Sequence, residues 1–315
     1  MSVSLSRGRL LKGALASLAA ATVLRGGARA AIPTPTAERP AMLTRTIPST
    51  GEAMPVIGLG TYQVFDVGRN QTAKPALRQV LNLLFEAGGR MIDSSPMYGT
   101  AEAVTGELLA ELKARPKAFL ATKVWTQGKE NGIAQMKQSA ARLRTEVIDL
   151  MQIHNLLDWR IHLATLRRMK EDGSIRYLGI THYTTGALAE LAAIIAREPL
   201  DFVQLGYSIE TREAEARLLP LCIDRQVAVI VNQPFEQGAL FRKLRGRSLP
   251  AWAAEFDCTS WAQLFLKYLI GHPAITCVIP ATDKPDHMAD DLAAGIGRQP
   301  DAQQRQQMTK FWDSL

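Results

Sequence analysis

Residues Met91 to Glu102 read MIDSSPMYGTAE, and they join a short apolar run to a polar turn and then to the start of a helical pattern. The apolar run, residues 91–93, is typical of a buried strand. The following AEAVTGELLAEL, residues 101–112, has the spacing of an amphipathic helix. A strand that leads through a turn into a helix is the unit from which parallel sheets are built. This stretch therefore predicts one βα unit with polar residues at the end of its strand.

The same alternation recurs along most of the chain. Helical patterns separate the strand candidates, as in KPALRQVLNLLFEAGG at residues 74–89, where Pro75 suits a first helical turn and two glycines suit its end. The eight strand candidates are Val56–Leu59, Met91–Asp93, Phe119–Val124, Ile148–His154, Leu178–Thr181, Phe202–Leu205, Ala228–Asn232 and Cys277–Pro280. Eight alternations within about 250 residues predict an α/β fold, a (β/α)8 TIM barrel, with a doubly wound sheet as the alternative.

The first thirty residues have a different composition from the rest. Arg7, Arg9 and Lys12 precede an apolar run, and Ala28-Arg29-Ala30 has the small-x-small pattern of a cleavage site. The segment resembles a twin-arginine export signal whose second arginine is missing, with an uncleaved anchor or a flexible arm as alternatives. We therefore predict a signal peptide at 1–30, a proline-rich linker at 31–43, a single barrel domain at 44–315, and an exported, periplasmic protein that meets the export machinery.

Composition and charge exclude several classes of protein. With 47% apolar and 21% charged residues among 315, the chain can bury a large core and is not disordered. Removing the predicted leader lowers the basic residues from 37 to 32 against 30 acidic ones, an excess of only +2. No nucleic-acid partner follows from that charge, and no membrane partner is expected after leader removal.

Three cysteines, Cys222, Cys258 and Cys277, lie in apolar or helical surroundings without the spacing of metal ligands. Their odd number argues against a disulfide framework, and we predict no metal site. A chain that folds in a reducing cytoplasm before export needs no disulfides.

Polar residues close three consecutive strands of the predicted barrel. Asp93 ends the second strand, Lys123 lies near the end of the third, and His154 ends the fourth, while Tyr98 follows Asp93 on the next loop. Each alone has an ordinary alternative, since an aspartate often caps a helix and a lysine is usually solvated. Because the carboxyl ends of barrel strands form the active face, these four are candidate catalytic residues.

Six motifs together resemble the aldo/keto reductase family, in order and spacing, from Met54 to about Gly295. They are MPVIGLGTYQV, MIDSSPMYGTAE, ATKVW, IDLMQIHN, GSIRYLGIT and IPATDKPDHMADDLAA. The resemblance implies NAD(P)H-dependent reduction of a small aldehyde or ketone to an alcohol. It also implies a catalytic tetrad at Asp93, Tyr98, Lys123 and His154.

The chemistry of the four side chains agrees with that reaction. Tyr98 supplies a proton to the carbonyl oxygen if its pKa is pulled towards neutral pH, and the Lys123 ammonium should lower that pKa. Asp93 should keep Lys123 charged and in place. His154 should hydrogen-bond the carbonyl oxygen and orient it.

The hydride requires a cofactor because no side chain can donate one. NADP(H) is favoured and NAD(H) is the alternative. The resemblance places cofactor contacts along the barrel rim and beside a helix N-terminus that favours phosphate. These predicted contacts are Gly60, Thr61, Asp93, Thr181, His182, Gln204, Asn232, Gln233, Pro234, Phe235, Gly238, Ala281, Thr282, Lys284, His287 and Asp291.

Two departures from the family pattern concern the cofactor. Asn232-Gln233-Pro234 stands where many relatives have Tyr-Ser-Pro, so an aromatic ring that stacks on nicotinamide is lost unless Phe235 replaces it. Ala281 stands where some relatives place a lysine for the 2′-phosphate, a role that Lys284 is expected to take.

Around the carbonyl we predict Tyr62, Trp125 and Asn155 as wall residues, with packing as their alternative role. The chain ends at QQMTKFWDSL, soon after the eighth helical pattern, without room for a long C-terminal loop. We therefore expect an open site that accepts several carbonyl compounds.

A second function remains open at this stage. A binding or sensor protein could keep the barrel and a bound nucleotide while turning over poorly, and an export signal favours such a role because free cofactor is scarce outside the cytoplasm. The four catalytic candidates favour an enzyme.

Overall fold

The structure is a computed structural model that describes residues 41–315. The predicted signal peptide and residues 31–40 of the predicted linker lie outside the described residues. The last residues of that linker are packed: Met42 is buried, and the Leu43 N–H donates to the Gly295 carbonyl at 2.8 Å. The described fold thus includes residues directly before residue 44.

Eight parallel strands form the barrel, and each pairs with the next along the chain. They are β3 (Leu59–Gly60), β4 (Met91–Asp93), β5 (Phe119–Val124), β6 (Ile148–His154), β7 (Ile175–His182), β8 (Phe202–Gly206), β9 (Ala228–Asn232) and β10 (Ile275–Val278), preceded by a hairpin of β1 (Thr44–Thr46) and β2 (Ala53–Pro55). Parallel bridges between Ile57 and Val278 and between Gly60 and Ala281 join the first barrel strand to the last. The (β/α)8 barrel is confirmed, and the doubly wound sheet is excluded.

Helices surround the barrel because helical segments connect each strand to the next parallel strand. Within residues 41–315 they are α1 (Lys74–Glu86), α2 (Ala101–Glu111), α3 (Lys129–Leu143), α4 (Trp159–Glu171), α5 (Leu188–Ile195), α6 (Leu218–Asp224), α7 (Ala239–Lys243), α8 (Trp261–Ile270), α9 (Pro285–Ala293) and α10 (Ala302–Asp313). The residues QQMTKFW lie in α10, whose start is fixed by a capping box between Asp301 and Gln304. No helix of the described chain is both long and apolar enough to cross a membrane.

Strand positions match the prediction best where the apolar run is continuous, as in β4, β5, β6 and β9. The predicted first strand, Val56–Leu59, is wrong in its bounds, because Val56 pairs with both Leu43 and Val278 and regular pairing with β4 begins only at Leu59. The strand β7 begins three residues earlier than predicted. Its first residues pair with β6 although Arg176 interrupts the apolar pattern.

The barrel interior is filled by its own cluster of apolar side chains. The hairpin closes the end of the barrel at which the strands begin, which we call the lower end. Ile47 and Met54 of the hairpin region are both fully buried against this cluster. Below them, Glu52 accepts hydrogen bonds from the Arg176 guanidinium and the Tyr177 hydroxyl, and it pairs with Arg90 at 3.1 Å. With the lower end sealed, access to the barrel interior is from the carboxyl ends of the strands.

Candidate active site

The carboxyl ends of three neighbouring strands bring the predicted catalytic residues together. Strand pairing sets Asp93 of β4 beside Ala121 of β5, and Lys123 of β5 beside Gln152 of β6. His154 is the last residue of β6, and Tyr98 lies on the loop that follows β4. The four side chains therefore converge at one side of the barrel mouth.

An ion pair forms the base of the site. Lys123 Nζ donates to Asp93 Oδ2 at 2.6 Å and to the Ser94 carbonyl at 2.7 Å, and both charged side chains are almost completely buried. Burial by itself lowers the pKa of Lys123, but its interactions with Asp93 and Tyr98 raise it more, so the net pKa is above the usual value. Lys123 therefore stays an ammonium at neutral pH.

The phenol of Tyr98 lies above this ion pair. Lys123 Nζ is 5.0 Å from the centre of the Tyr98 ring, whose other neighbours are Tyr62 at 4.9 Å and His154 at 5.9 Å between ring centroids. Burial raises the pKa of Tyr98 by more than Lys123 lowers it, so the net shift is upward. The expected lowering of the Tyr98 pKa is therefore wrong for the protein without ligands. The phenol is protonated, as a proton donor must be.

His154 is held as a neutral imidazole. Burial, with smaller contributions from Lys123 and His182, lowers its pKa to about 3. Ser95 Oγ lies 3.1 Å from His154 Nδ1 and accepts the Met97 N–H at 3.3 Å. The Ser95 hydroxyl is free to donate to Nδ1, and in that tautomer the proton of the ring is on Nε2. Sequence reasoning missed Ser95, whose only signal was its place two residues after the strand.

Amide side chains surround the carboxylate of Asp93. Gln204 Nε2 donates to Asp93 Oδ1 at 2.8 Å, and Gln152 Nε2 reaches the same oxygen at 3.2 Å. Gln204 Oε1 in turn accepts from Asn232 Nδ2 at 3.1 Å and lies 3.5 Å from Thr181 Oγ1. Both ends of the Gln204 amide, predicted as a cofactor contact, are thus engaged inside the protein. Gln152 had no predicted role.

The predicted wall residues lie at the rim of the mouth. Tyr62 and Trp125 are 46% and 42% exposed, unusual values for large aromatic rings. Gln135 of α3 holds the backbone of Trp125 on both sides, accepting from its N–H at 2.6 Å and donating to its carbonyl at 3.1 Å. Asn155 adopts a left-handed backbone conformation with φ of 51°, and its Oδ1 is buried without a hydrogen-bond partner in the described chain.

Three of the predicted cofactor residues at strand ends, Gly60, Thr61 and His182, make contacts within the fold. Thr61 is fully buried, and its hydroxyl donates to the Asp93 carbonyl at 2.9 Å. A Cβ atom at Gly60 would lie 3.0 Å from the Ile279 carbonyl oxygen, so the close packing here favours glycine. His182, which closes β7, stacks on Tyr183 at 5.7 Å between ring centroids.

The loop after β9 contains several of the predicted contacts. Gln233 has a φ of 51°, and Gly238 has a φ of 82° and donates its N–H to the Phe235 carbonyl at 2.8 Å. Phe235, which follows Pro234, packs against Phe241 at 5.1 Å and against the outer core. Its ring is therefore partly engaged in packing within the fold.

The segment before α9 presents both cations and anions. Ala281, Lys284 and His287 are exposed, while Thr282 is buried and its Oγ1 accepts the Lys284 N–H at 3.1 Å. Helix α9 begins with Pro285 and has no side-chain cap, which leaves backbone N–H groups for an anion.

Acidic residues lie close to Lys284 and partly offset its positive charge. Asp283 and Asp286 are exposed next to Lys284. Asp291 is buried, and burial, with Asp290 nearby, raises its pKa well above the usual value. Lys284 is thus a cation between acidic neighbours. Across residues 41–315, no group of three or more His, Cys, Asp or Glu side chains is arranged to hold a metal ion.

Comparison with known proteins gives the family. Residues 56–313 match the model of the Aldo/keto reductase family, which covers nearly the whole described chain. The chain belongs to the aldo/keto reductase family. The described (β/α)8 barrel and its polar mouth are thus those of an aldo/keto reductase, an oxidoreductase.

Among curated aldo/keto reductase relatives, methylglyoxal reductase YeaE of Escherichia coli K12 is 30% identical over 234 residues, which cover 72% of this chain and 80% of the relative. Glyoxal reductase of Bacillus subtilis is 26% identical over 246 residues, 76% of this chain and 83% of the relative. A solved aldo/keto reductase from Klebsiella pneumoniae, in complex with NADP and acetate, superimposes with a TM-score of 0.69 at 24% identity, covering 83% of this chain and 93% of that one.

Proposed function

We propose that the protein reduces aldehydes and ketones to alcohols with NADPH as the hydride source and Tyr98 as the proton donor. The observation that carries the proposal is the convergence of the buried Asp93–Lys123 ion pair, the protonated Tyr98 and the neutral His154 at one barrel mouth. Lys123, Tyr98 and His154 are each in the protonation state that carbonyl reduction needs.

The residues present fit a nicotinamide nucleotide. Asn155 and Asn232 carry buried acceptor oxygens without partners in the described chain, which suit the N–H groups of a carboxamide after small side-chain adjustments. Lys284, His287 and the free N–H groups of α9 suit phosphate. Solved aldo/keto reductases in complex with NADP or NADPH support the same choice.

The side chains act on the carbonyl oxygen in sequence. His154 Nε2–H would donate to this oxygen and orient it, and a bound NADPH would provide the hydride that the carbonyl carbon receives. Tyr98 then gives its proton to the oxygen, and Lys123 stabilises the phenolate that remains. Asp93 balances the charge of Lys123 throughout. Solvent returns a proton to Tyr98 after the alcohol leaves.

The rim favours small or flat carbonyl compounds. Tyr62 and Trp125 stand exposed on either side of the Tyr98 and His154 pair. Methylglyoxal and glyoxal, for which relatives are named, are the first substrates to test. A panel that includes aromatic aldehydes then measures how open the site is.

Tyr98→Phe tests the proposal. It removes the proton donor and little volume, so kcat/KM should fall by at least about a hundredfold while NADPH affinity stays the same. Steady-state NADPH oxidation gives the rate, and quenching of tryptophan fluorescence gives the affinity. Tyr177→Phe removes a phenol at the opposite end of the barrel from the proposed site and should leave both unchanged.

Undiminished turnover in Tyr98→Phe would exclude the assigned role. Failure of the wild type to turn over any carbonyl of the panel, with NADPH still bound, would favour the sensor protein instead. The packed ion pair beneath Tyr98 supports the enzyme.

We also propose that residues 1–30 direct the folded protein to the periplasm through the twin-arginine route. The basic residues before the apolar run and the small-x-small pattern after it support export, and three buried, unpaired cysteines suit a chain that folds before it leaves the cytoplasm. A folded chain can carry its nucleotide across, and the nucleotide stabilises it beforehand.

The full chain with its own leader provides the test. We expect periplasmic protein with nucleotide bound, and no periplasmic protein in cells that lack the folded-protein translocase. Replacing Arg7 and Arg9 by lysine should also retain the protein in the cytoplasm. Export without that translocase, yielding nucleotide-free protein, would exclude the route.

A further inference from the structure

Gln152 is a buried amide in the middle of a strand, beneath the proposed proton donor. It is fully buried, and it stands beside Lys123 on one side and Gly179 on the other. Its Nε2 lies 3.2 Å from Asp93 Oδ1, while its Oε1 has no hydrogen-bond partner in the described chain.

The orientation of the amide follows from its partner. An ionised carboxylate only accepts hydrogen bonds, so the amide atom that faces Asp93 must be the nitrogen. The same argument applies to Gln204, and it places Gln204 Oε1 towards Asn232. If the Gln152 amide group were flipped, its Oε1 would face Asp93 Oδ1, and two acceptors would meet without a proton between them. The unpartnered Oε1 is therefore a consequence of the contact with Asp93.

The orientation that this contact requires costs stability, because it leaves Gln152 Oε1 buried without a hydrogen bond. A buried acceptor without a partner loses its hydration and gains nothing in return. An apolar side chain of similar length would fill the same space without that cost. Any advantage of glutamine at position 152 must therefore come from its hydrogen bond to Asp93.

The gain is orientation of the carboxylate. Gln152 and Gln204 both donate to Oδ1, and Lys123 donates to Oδ2, so the plane of the Asp93 carboxylate is held at both oxygens. Rotation of that plane would move the acceptor away from Lys123, the cation beneath Tyr98. We propose that Gln152 is a positioning residue that fixes the Asp93–Lys123 pair for proton donation by Tyr98, at a cost in stability.

The inference rests on the proposed reduction. Gln152→Met replaces the amide with an apolar chain of similar length. We expect kcat to fall about tenfold, with KM for the carbonyl and the dissociation constant for NADPH unchanged within about twofold. The primary isotope effect with deuterated NADPH should rise because the chemical step becomes slower. The melting temperature should stay the same or rise by about 1 to 3 °C.

Ser139→Ala is the matched control, because Ser139 on α3 also carries a buried, unpartnered oxygen but lies outside the proposed site. It should change the melting temperature to a similar degree and leave kcat and the isotope effect unaltered. A Gln152→Met protein with unchanged kcat, or one that unfolds at markedly lower temperature or fails to fold, would overturn the inference.

A crystal structure of Gln152→Met without nucleotide decides the matter independently of turnover. The Asp93 carboxylate should rotate and its contact with Lys123 should lengthen, whereas an unchanged ion pair would overturn the positioning role. Wild-type turnover in the same assays distinguishes failure of the proposed reduction from failure of this inference.

Discussion

At the scale of single residues, burial decides the protonation states of the proposed site. Burial lowers the pKa of His154 to about 3, and it raises that of Tyr98 although Lys123 is close. The two effects have one cause, because each side chain is neutral in the form that burial favours. The ion pair can then act on Tyr98 when its phenolate forms.

The pH dependence of reduction follows from these shifts. His154 takes up its proton only near pH 3, so its protonation removes no activity between about pH 5 and 8. Reduction needs protonated Tyr98 and is lost as pH rises through the pKa of Tyr98, which lies above its usual value of 10.0. We expect kcat at saturating substrate to be flat from about pH 5 to 9. An alkaline loss centred below about pH 9 would contradict the upward shift.

The same burial has a consequence for stability in acid. The unfolded chain binds a proton at His154 near the usual pKa of 6.5, whereas the folded chain does so only at about 3. As pH falls through this window, the unfolded state therefore gains more from protonation, and the free energy of unfolding decreases.

At the scale of elements, side-chain hydrogen bonds shape two of the loops at the barrel mouth. Gln135 of α3 holds the backbone of Trp125, and Asp158 before α4 accepts the Gly128 N–H at 2.8 Å. The loop before α9 is shaped by Thr282, which leaves Lys284 exposed beside an uncapped helix end. Rigid loops on a barrel frame place side chains around a ligand at little entropic cost.

Lys284 tests which nucleotide this last loop prefers. If it faces a 2′-phosphate, Lys284→Ala should weaken NADPH binding by about 1 to 3 kcal/mol and leave NADH nearly unchanged. Isothermal titration with both nucleotides gives the comparison. Lys310→Ala, which removes an exposed lysine of α10, should alter neither affinity. Equal losses for NADPH and NADH would mean that Lys284 acts through the shape of the loop.

At the scale of the whole molecule, stability and chemistry lie at opposite ends of the barrel. The hairpin seals the lower end with Ile47 and Met54, and the Glu52 ion pairs lie outside this seal. The polar mouth is formed by the other ends of the same strands. A TIM barrel commonly separates the two in this way.

Ile47→Ala tests that separation. Ile47 is fully buried, so its truncation leaves a cavity and should lower the free energy of unfolding by about 2 to 5 kcal/mol. Urea unfolding measures the loss, and kcat of the folded protein should not change. Ile223→Ala, at a half-exposed position of α6, should cost less than about 1 kcal/mol. A reduced kcat in folded Ile47→Ala would show that the two ends are coupled.

The sequence by itself determined the class of fold and the four catalytic candidates. Both depend on local patterns: strand and helix periodicities repeat eight times, and Asp93 and Tyr98 lie within one short motif. The hairpin went unpredicted because its strands are only three residues long and are stabilised by packing under the barrel. The family motifs gave no role to Ser95 or Gln152. Only the fold brings Ser95 into contact with His154 and Gln152 into contact with Asp93.

Only the tertiary structure decided the electrostatics of the site. The direction of the Tyr98 pKa shift depends on burial against the opposing charge of Lys123, and neither is visible in the order of residues. The contact between Asp93 and Gln204 joins residues 111 positions apart. Burial and long-range hydrogen bonds are properties of the closed barrel, because they arise only when all eight strands place their ends around one mouth.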